Sequence, residues 1–299
     1  VKQLVVLSGK GGTGKTTVAA ALAHLASQET DIILVDADVD AANLELVLSP
    51  KLQEETAFFS SKVASIDPEL CVACGTCADV CRFDAVLVPE DDAEDESYTI
   101  DDVACEGCAV CYYQCPAEAI EMQEPQDGLW FRSDTLFGPL VHAHLFAGQE
   151  NSGKLVAEVR DRARRLASQG GQPYVIIDGP PGIGCPVIAA ATGVDLVLVV
   201  VEPTVSGVHD LERVLGVAEH FNIPCLVSIN KFDINTDKAQ EIDRYCAERG
   251  IPVVGHIPFD TVVTEAMVQG KPVTAYEDGP VSAELRRVWE GVRDKLGED

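Results

Sequence analysis

Ser8-Gly9-Lys10-Gly11-Gly12-Thr13-Gly14-Lys15-Thr16-Thr17 follows the apolar run Leu4-Val5-Val6-Leu7 and leads into a stretch, residues 15–26, with small apolar side chains on one side. Residues 9–16 fit the pattern G-x-x-x-x-G-K-[ST]. Glycines at these positions let successive backbone N–H groups turn toward one centre, and the start of the following helix adds its positive end. The pattern therefore predicts a phosphate cradle. In it Lys15 neutralises the outer phosphates of a nucleotide and the Thr16 hydroxyl binds Mg²⁺. A second apolar run at residues 32–35 completes a strand–helix–strand unit.

The same alternation resumes from Tyr174. Residues 174–177, 196–201, 226–229 and 252–256 read as strands, with helices near 210–220 and 238–249. Further helices are expected over 151–168 and, amphipathic, over 281–296. Short, wholly apolar strands alternating with helices imply α/β architecture, a mostly parallel sheet covered by helices on both faces. The expected nucleotide-binding domain is discontinuous, residues 1–60 and 125–299.

Residues 61–124 differ in character. Cys71, Cys74, Cys77 and Cys81 recur as Cys105, Cys108, Cys111 and Cys115, each offset by 34 residues. Arg82-Phe83-Asp84-Ala85-Val86 is echoed by Pro116-Ala117-Glu118-Ala119-Ile120. A duplicated small unit within an α/β chain reads as an inserted domain. Residues 85–88 and 97–100 are expected to pair as a hairpin with an acidic tip at 90–96. Zinc sites usually present two spaced pairs of ligands, whereas each cassette here is C-x2-C-x2-C-x3-C. That run resembles the α+β bacterial ferredoxins, in which the fourth cysteine serves the other cluster. The resemblance implies two [4Fe–4S] clusters, one on Cys71, Cys74, Cys77 and Cys115, the other on Cys105, Cys108, Cys111 and Cys81. Arg82 stands where the second cassette has Pro116, which predicts unequal reduction potentials.

With 22 basic and 49 acidic residues the formal net charge is −27, which opposes nucleic-acid binding and adhesion to anionic lipid. No run approaches the length of a membrane span, and Val1-Lys2-Gln3 lacks the features of a secretory signal. Of eleven cysteines, eight fall in the two cassettes, which suits metal in a reducing compartment, so the expected location is the cytoplasm.

The form K-G-G-x-G-K-T-T, with Lys10 after the first glycine, resembles the deviant-loop P-loop ATPases of the MinD, ParA and Mrp group. Other stations agree in order: Asp36 to Asp40 as a first switch, 174–182 with Gly179-Pro180-Pro181-Gly182 as a second, and Ile229-Asn230-Lys231-Phe232-Asp233 with Ile257-Pro258-Phe259-Asp260 as base-binding loops. Glu202-Pro203-Thr204 and the 148–154 stretch extend the match. With the insertion, the chain looks like members labelled cobyrinic acid a,c-diamide synthase-like.

The resemblance implies ATP, bound by Gly9, Lys10, Gly11, Gly12, Thr13, Gly14, Lys15, Thr16 and Thr17. Lys10 would reach the partner's nucleotide in a homodimer or heterodimer. Asp38 would sense Mg²⁺ and orient water, with Asp36 a nearby outer carboxylate. Asp178 would hold Mg²⁺ through water, the Gly182 amide would meet the γ-phosphate, and Asn230 and Pro258 would hold adenine. Cys185 is a candidate for metal at a dimer interface; Cys225 and Cys246 read as packing residues. The expected function is an ATPase that couples nucleotide state to electron transfer with a redox partner. The alternatives are an iron–sulfur carrier serving an acceptor protein and a MinD-like spatial organiser.

Overall fold

The computed structural model describes residues 1–89, 97–148 and 151–297. The expected acidic tip at 90–96 lies outside them, as do residues 149 and 150 of the 148–154 stretch. The chain divides into two compact units: Val1–Thr56 with Trp130–His144 and Ser152–Asp299, and Ala57–Leu129 with Leu145–Asn151.

The larger unit is organised by a nine-stranded sheet in the order Val253–Ile257, Cys225–Asn230, Leu196–Val201, Lys2–Ser8, Tyr174–Pro181, Ile32–Asp36, Gly138–Leu145, Gly128–Thr135 and Lys51–Phe58. The first seven pair in parallel. Their burial explains their sequences. Ile32–Asp36 and Leu196–Val201 are buried at every residue, so neither face needs polar alternation. Leu4 and Val6 face a core that includes Val18, Leu22 and Leu25 of the helix Lys15–Ser27 and Leu285, Val288 and Trp289 of the helix Pro280–Gly297. The apolar face of Pro280–Gly297 is thus consumed by the fold. Leu155, Val156, Val159, Ala163 and Ala167 form the buried stripe of the helix Ser152–Gly170.

Three strands at one edge have no counterpart in the sequence reading. Gly128–Thr135 and Gly138–Leu145 are sheet neighbours joined by two residues, which only an antiparallel hairpin permits. Lys51–Phe58 lies at the very edge, and its first five residues are exposed. Its sequence, KLQEETAF, therefore carries no buried signature to read. The helix expected at 210–220 starts earlier, at Val205, because Thr204 caps it: its Oγ1 accepts the Gly207 N–H at 3.0 Å.

The smaller unit keeps the 34-residue duplication in its backbone. Thr76–Val80 and Val110–Gln114 are equivalent short helices. Ala73 and Gly107 (φ 51° and 63°), Gly75 and Ala109 (φ 77° and 62°), and Asp84 and Glu118 (φ 52° and 51°) are left-handed at matching positions. Val63–Ile66 pairs antiparallel with Ile120–Gln123, and the expected hairpin forms over Val86–Leu87 and Thr99–Ile100. This unit is wider than residues 61–124. Asp127, fully buried, accepts hydrogen bonds from the backbone N–H and hydroxyl groups of both Ser60 and Ser61, and the Phe146 N–H donates to its carbonyl at 2.9 Å. Entry and exit segments are thereby fastened within the unit.

A Cβ on Gly107 would lie 2.1 Å from the Lys62 carbonyl oxygen, whereas one on Gly75 would meet the Tyr98 hydroxyl at 3.1 Å. Both positions carry the left-handed penalty. Gly107→Ala is expected to destabilise this unit by about 1–3 kcal/mol more than Gly75→Ala, read from denaturation curves of the two variants.

Candidate functional site

The loop between Ser8 and Lys15 is shaped by its neighbours. Gly14 sits at φ 92°, and a Cβ there would strike Asn230 Nδ2 at 2.3 Å. That close approach exists because Asn230 Nδ2 donates to the Thr13 carbonyl at 2.7 Å. The helix Lys15–Ser27 begins with no side-chain cap and no acidic residue in its first turn. Its first N–H groups are therefore available to an anion, a contribution of about 0.3–2 kcal/mol.

A cavity of about 760 Å³ opens over this terminus. Gly11, Gly12, Gly14, Lys15, Thr16, Thr17, Asp38, Asn230 and Pro258 all line it, as do Asp40, Lys231 and Phe259. Gly9, Lys10 and Thr13 instead line a small recess with Glu202 and Asp210. The two loops expected to hold a base are tied together: the Phe259 N–H donates to Asp233 Oδ1 at 2.8 Å.

Two carboxylates, Asp38 and Asp178, lie near Lys15, and a third, Asp36, neighbours them both. Asp36, the last residue of its strand, stands in direct register with Asp178 of the neighbouring strand Tyr174–Pro181, and both are buried. Burial raises the Asp178 carboxyl to about 6; Lys15 and a hydrogen bond from Thr16 pull it down, and Asp38 pushes it up. Asp178 Oδ1 is buried without a hydrogen-bond partner. An unsatisfied buried carboxylate oxygen beside a threonine hydroxyl suits a hydrated Mg²⁺. Burial also raises Asp38, with Lys15 opposing.

Asp36, expected as an outer carboxylate, makes three backbone hydrogen bonds. Its oxygens accept the N–H groups of Asp38, Asn43 and Leu44 at 3.1, 3.1 and 2.9 Å, so it shapes the loop that presents Asp38. Burial, then the Asp178 charge, push its carboxyl well above the usual range. The Gly182 amide, expected at a γ-phosphate, donates to the Ser8 carbonyl at 2.9 Å. Asn230, besides Thr13, receives the Lys231 N–H on Oδ1 at 3.1 Å, so it positions the loop.

Glu202 enters the sequence reading only as part of a matching stretch with no role of its own, although it directly follows the strand Leu196–Val201, where parallel sheets place functional groups. Its oxygens lie 3.4 Å from Lys10 Nζ and 2.5 Å from Lys231 Nζ. Lys10 Nζ is also 3.4 Å from the Thr204 and Ser206 hydroxyls. Within a single chain Lys10 is therefore held by its own Glu202.

In the smaller unit the thiols gather across the repeat. One cavity is lined by Cys71, Cys74, Cys77 and Cys115, the other by Cys81, Cys105, Cys108 and Cys111. All eight are free thiols. The Ala64 N–H points at Cys105 Sγ (3.5 Å) and the Ala119 N–H at Cys115 Sγ (3.4 Å), contacts that orient the two sulfurs. Four thiols per cavity fit a [4Fe–4S] group. Cys185 is exposed at the start of the helix Cys185–Ala191 and belongs to neither set. Burial pushes Cys225 up to about 12 and Cys246 up to about 11, which suits packing thiols.

Residues 4–273 match the model of the CobQ/CobB/MinD/ParA nucleotide binding domain. The chain belongs to this family. An uncharacterized protein of Methanocaldococcus jannaschii is 31% identical, over 98% of this chain and 97% of that protein. An iron-sulfur cluster carrier protein of Pyrococcus horikoshii is 23% identical, over 99% and 87%. Among solved structures, the septum site-determining protein MinD of Pyrococcus horikoshii, complexed with Mg-ADP, superposes with a TM-score of 0.59 at 18% identity, covering 99% of this chain and 97% of that one. That likeness shows the α/β P-loop fold with its mostly parallel sheet. Among the described residues no helix is long and apolar enough to cross a membrane.

The raised carboxyl of Asp178 has a consequence for stability. Between its unfolded value of 3.8 and about 6 the native state binds the extra proton, so stability falls as pH rises through that window. Asp178→Asn is expected to raise the melting temperature of the nucleotide-free protein at pH 7. At ~1.4 kcal/mol per pKa unit the gain is at most about 3 kcal/mol. The gap to wild type should close as pH approaches 4, in calorimetric scans across the range.

Proposed function

We propose that this protein binds and hydrolyses ATP with Mg²⁺ and that its nucleotide state controls electron transfer through two [4Fe–4S] clusters. The observation that carries this reading is the grouping of thiols, three from one cassette with the last cysteine of the other, in a chain that also has a phosphate loop. The clusters would be held by Cys71, Cys74, Cys77 and Cys115 and by Cys105, Cys108, Cys111 and Cys81. When bound they supply one-electron chemistry.

The chain's own residues have separable roles. Gly11, Gly12 and Gly14 with the start of Lys15–Ser27 receive phosphate oxygens. Lys15 offsets their charge, and Thr16 and Asp178 hold hydrated Mg²⁺. Asp38 orients the attacking water, held in place through Asp36. Lys10 would leave Glu202 when a second P-loop subunit, of this chain or a related one, closes over the nucleotide. The cysteine segment interrupts the chain between the loop carrying Asp38 and the strand carrying Asp178. Both respond to the γ-phosphate, so ATP binding and hydrolysis can alter how the clusters meet a redox partner.

A second reading, in which the clusters are cargo delivered to an acceptor protein, is supported by the similarity to the iron-sulfur cluster carrier protein of Pyrococcus horikoshii. The two readings separate on iron. A redox component keeps its iron while cycling, whereas a carrier loses it to an apo-acceptor.

Anaerobically purified protein is expected to show ATPase activity that Lys15→Ala and Asp38→Ala each lower by about 10²-fold or more. MgATP should change the rate at which a chelator removes iron in wild type and not in Lys15→Ala. Equal rates with and without MgATP would sink the gating. In a redox titration followed by EPR, two separated waves are expected, drawing together in Arg82→Pro. A single wave in wild type counts against the role of Arg82.

A further inference from the structure

Alternation along the strand Gly138–Leu145 places Leu140, His142 and His144 on one face. Leu140 shares a core with Leu44 and Val47 of the helix Leu44–Leu48, and the same helix carries Glu45. His142 Nδ1 lies 3.5 Å from Glu45 Oε2, and His144 Nε2 lies 3.8 Å from Glu45 Oε1. One donor atom from each of the three residues lies within 4.8 Å of the others.

His142 is only 4% exposed, yet its Nδ1 has no hydrogen-bond partner. An orphaned polar atom in a buried site is unfavourable unless something pairs with it. Its other nitrogen, Nε2, is 3.0 Å from the hydroxyl of buried Ser133. Phe131 stacks on the ring at 5.0 Å between centroids. With Nε2–H donating to Ser133, the Nδ1 lone pair faces Glu45 and His144, the arrangement that outer partners impose on metal-binding imidazoles.

We propose that Glu45, His142 and His144 form a binding site for a divalent transition-metal ion of the zinc class. Two imidazoles and a carboxylate suit such ions and not Mg²⁺ or Ca²⁺, which prefer all-oxygen sets. Donors about 2.0–2.1 Å from a tetrahedral ion stand about 3.3 Å apart, so the 3.5 Å pair needs little adjustment. His144 and Glu45 are partly exposed, leaving a path for entry and an open position for water. Asp36 holds the Asn43 and Leu44 N–H groups just before Glu45. The ion would therefore clamp the element that follows the Asp38 loop to the strand beside Ile32–Asp36.

The test uses the full chain, purified anaerobically with its iron content measured, and dialysed against Zn²⁺. Wild type is expected to hold one more zinc per chain than His144→Ala or Glu45→Gln at equal iron content. Zinc-edge X-ray absorption should show nitrogen and oxygen neighbours at about 2.0–2.1 Å, and zinc should raise the melting temperature of wild type alone. His142 is left intact, since truncating it would open a buried cavity. Equal zinc content in wild type and both variants, or a first shell of sulfur at about 2.3 Å, overturns the site. The zinc stoichiometry does not depend on ATP hydrolysis, so its failure leaves the proposed function standing.

Discussion

Two carboxylates buried side by side make the demand that the nucleotide site answers. Asp36 and Asp178 stand in register on adjacent parallel strands, and both are buried. Like charges in such a setting are costly unless cations and donors surround them. The chain meets the demand unequally. Asp36 is satisfied by three backbone N–H groups, and in return it dictates the path of the loop bearing Asp38. Asp178 is opposed by Lys15 and Thr16 but keeps one oxygen unpaired. The same burial that raises its carboxyl thus leaves that oxygen without a hydrogen-bond donor.

The cysteine unit solves a separate problem with a repeated device. Each cassette must wind its first three thiols around one centre while sending the fourth elsewhere. Left-handed residues at matching positions, Ala73 with Gly107 and Gly75 with Ala109, supply the winding. That alanine occupies this conformation once in each cassette shows that the turn is imposed by its surroundings, at a cost of about 1–2 kcal/mol. Asp127, knotted to Ser60 and Ser61, secures the ends of the unit. In the larger unit the edge hairpin sets a third feature in place, since the strand carrying His142 and His144 pairs directly with Ile32–Asp36.

Much of this was legible in the primary structure because the constraints are local. An apolar run followed by SGKGGTGKTT specifies a strand, a turn and a helix start with no help from distant residues. A 34-residue offset repeated at four cysteines specifies a duplication by arithmetic. Five of the six strands read from sequence in the larger unit are buried along most of their length, where nearly every residue must be apolar, whereas Val253–Ile257 at the sheet edge is only partly buried. Lys51–Phe58 escaped notice because an exposed edge strand has no such requirement, and the hairpin at 128–145 because its faces mix core, polar and histidine positions.

Residue types and spacings alone determined the α/β class, the phosphate loop, the two cassettes and the candidacy of Asp38 and Asp178. Only the tertiary structure decided how those groups are employed. It tied Asn230 and the Gly182 amide to the loop itself, gave Asp36 a scaffolding role, and set Glu202 between Lys10 and Lys231. It also brought Glu45 to His142 and His144 across almost a hundred residues of chain. The physical reason is that a hydrogen bond or ion pair depends on separations of about 3 Å in space, and sequence spacing specifies those only within a single turn or strand.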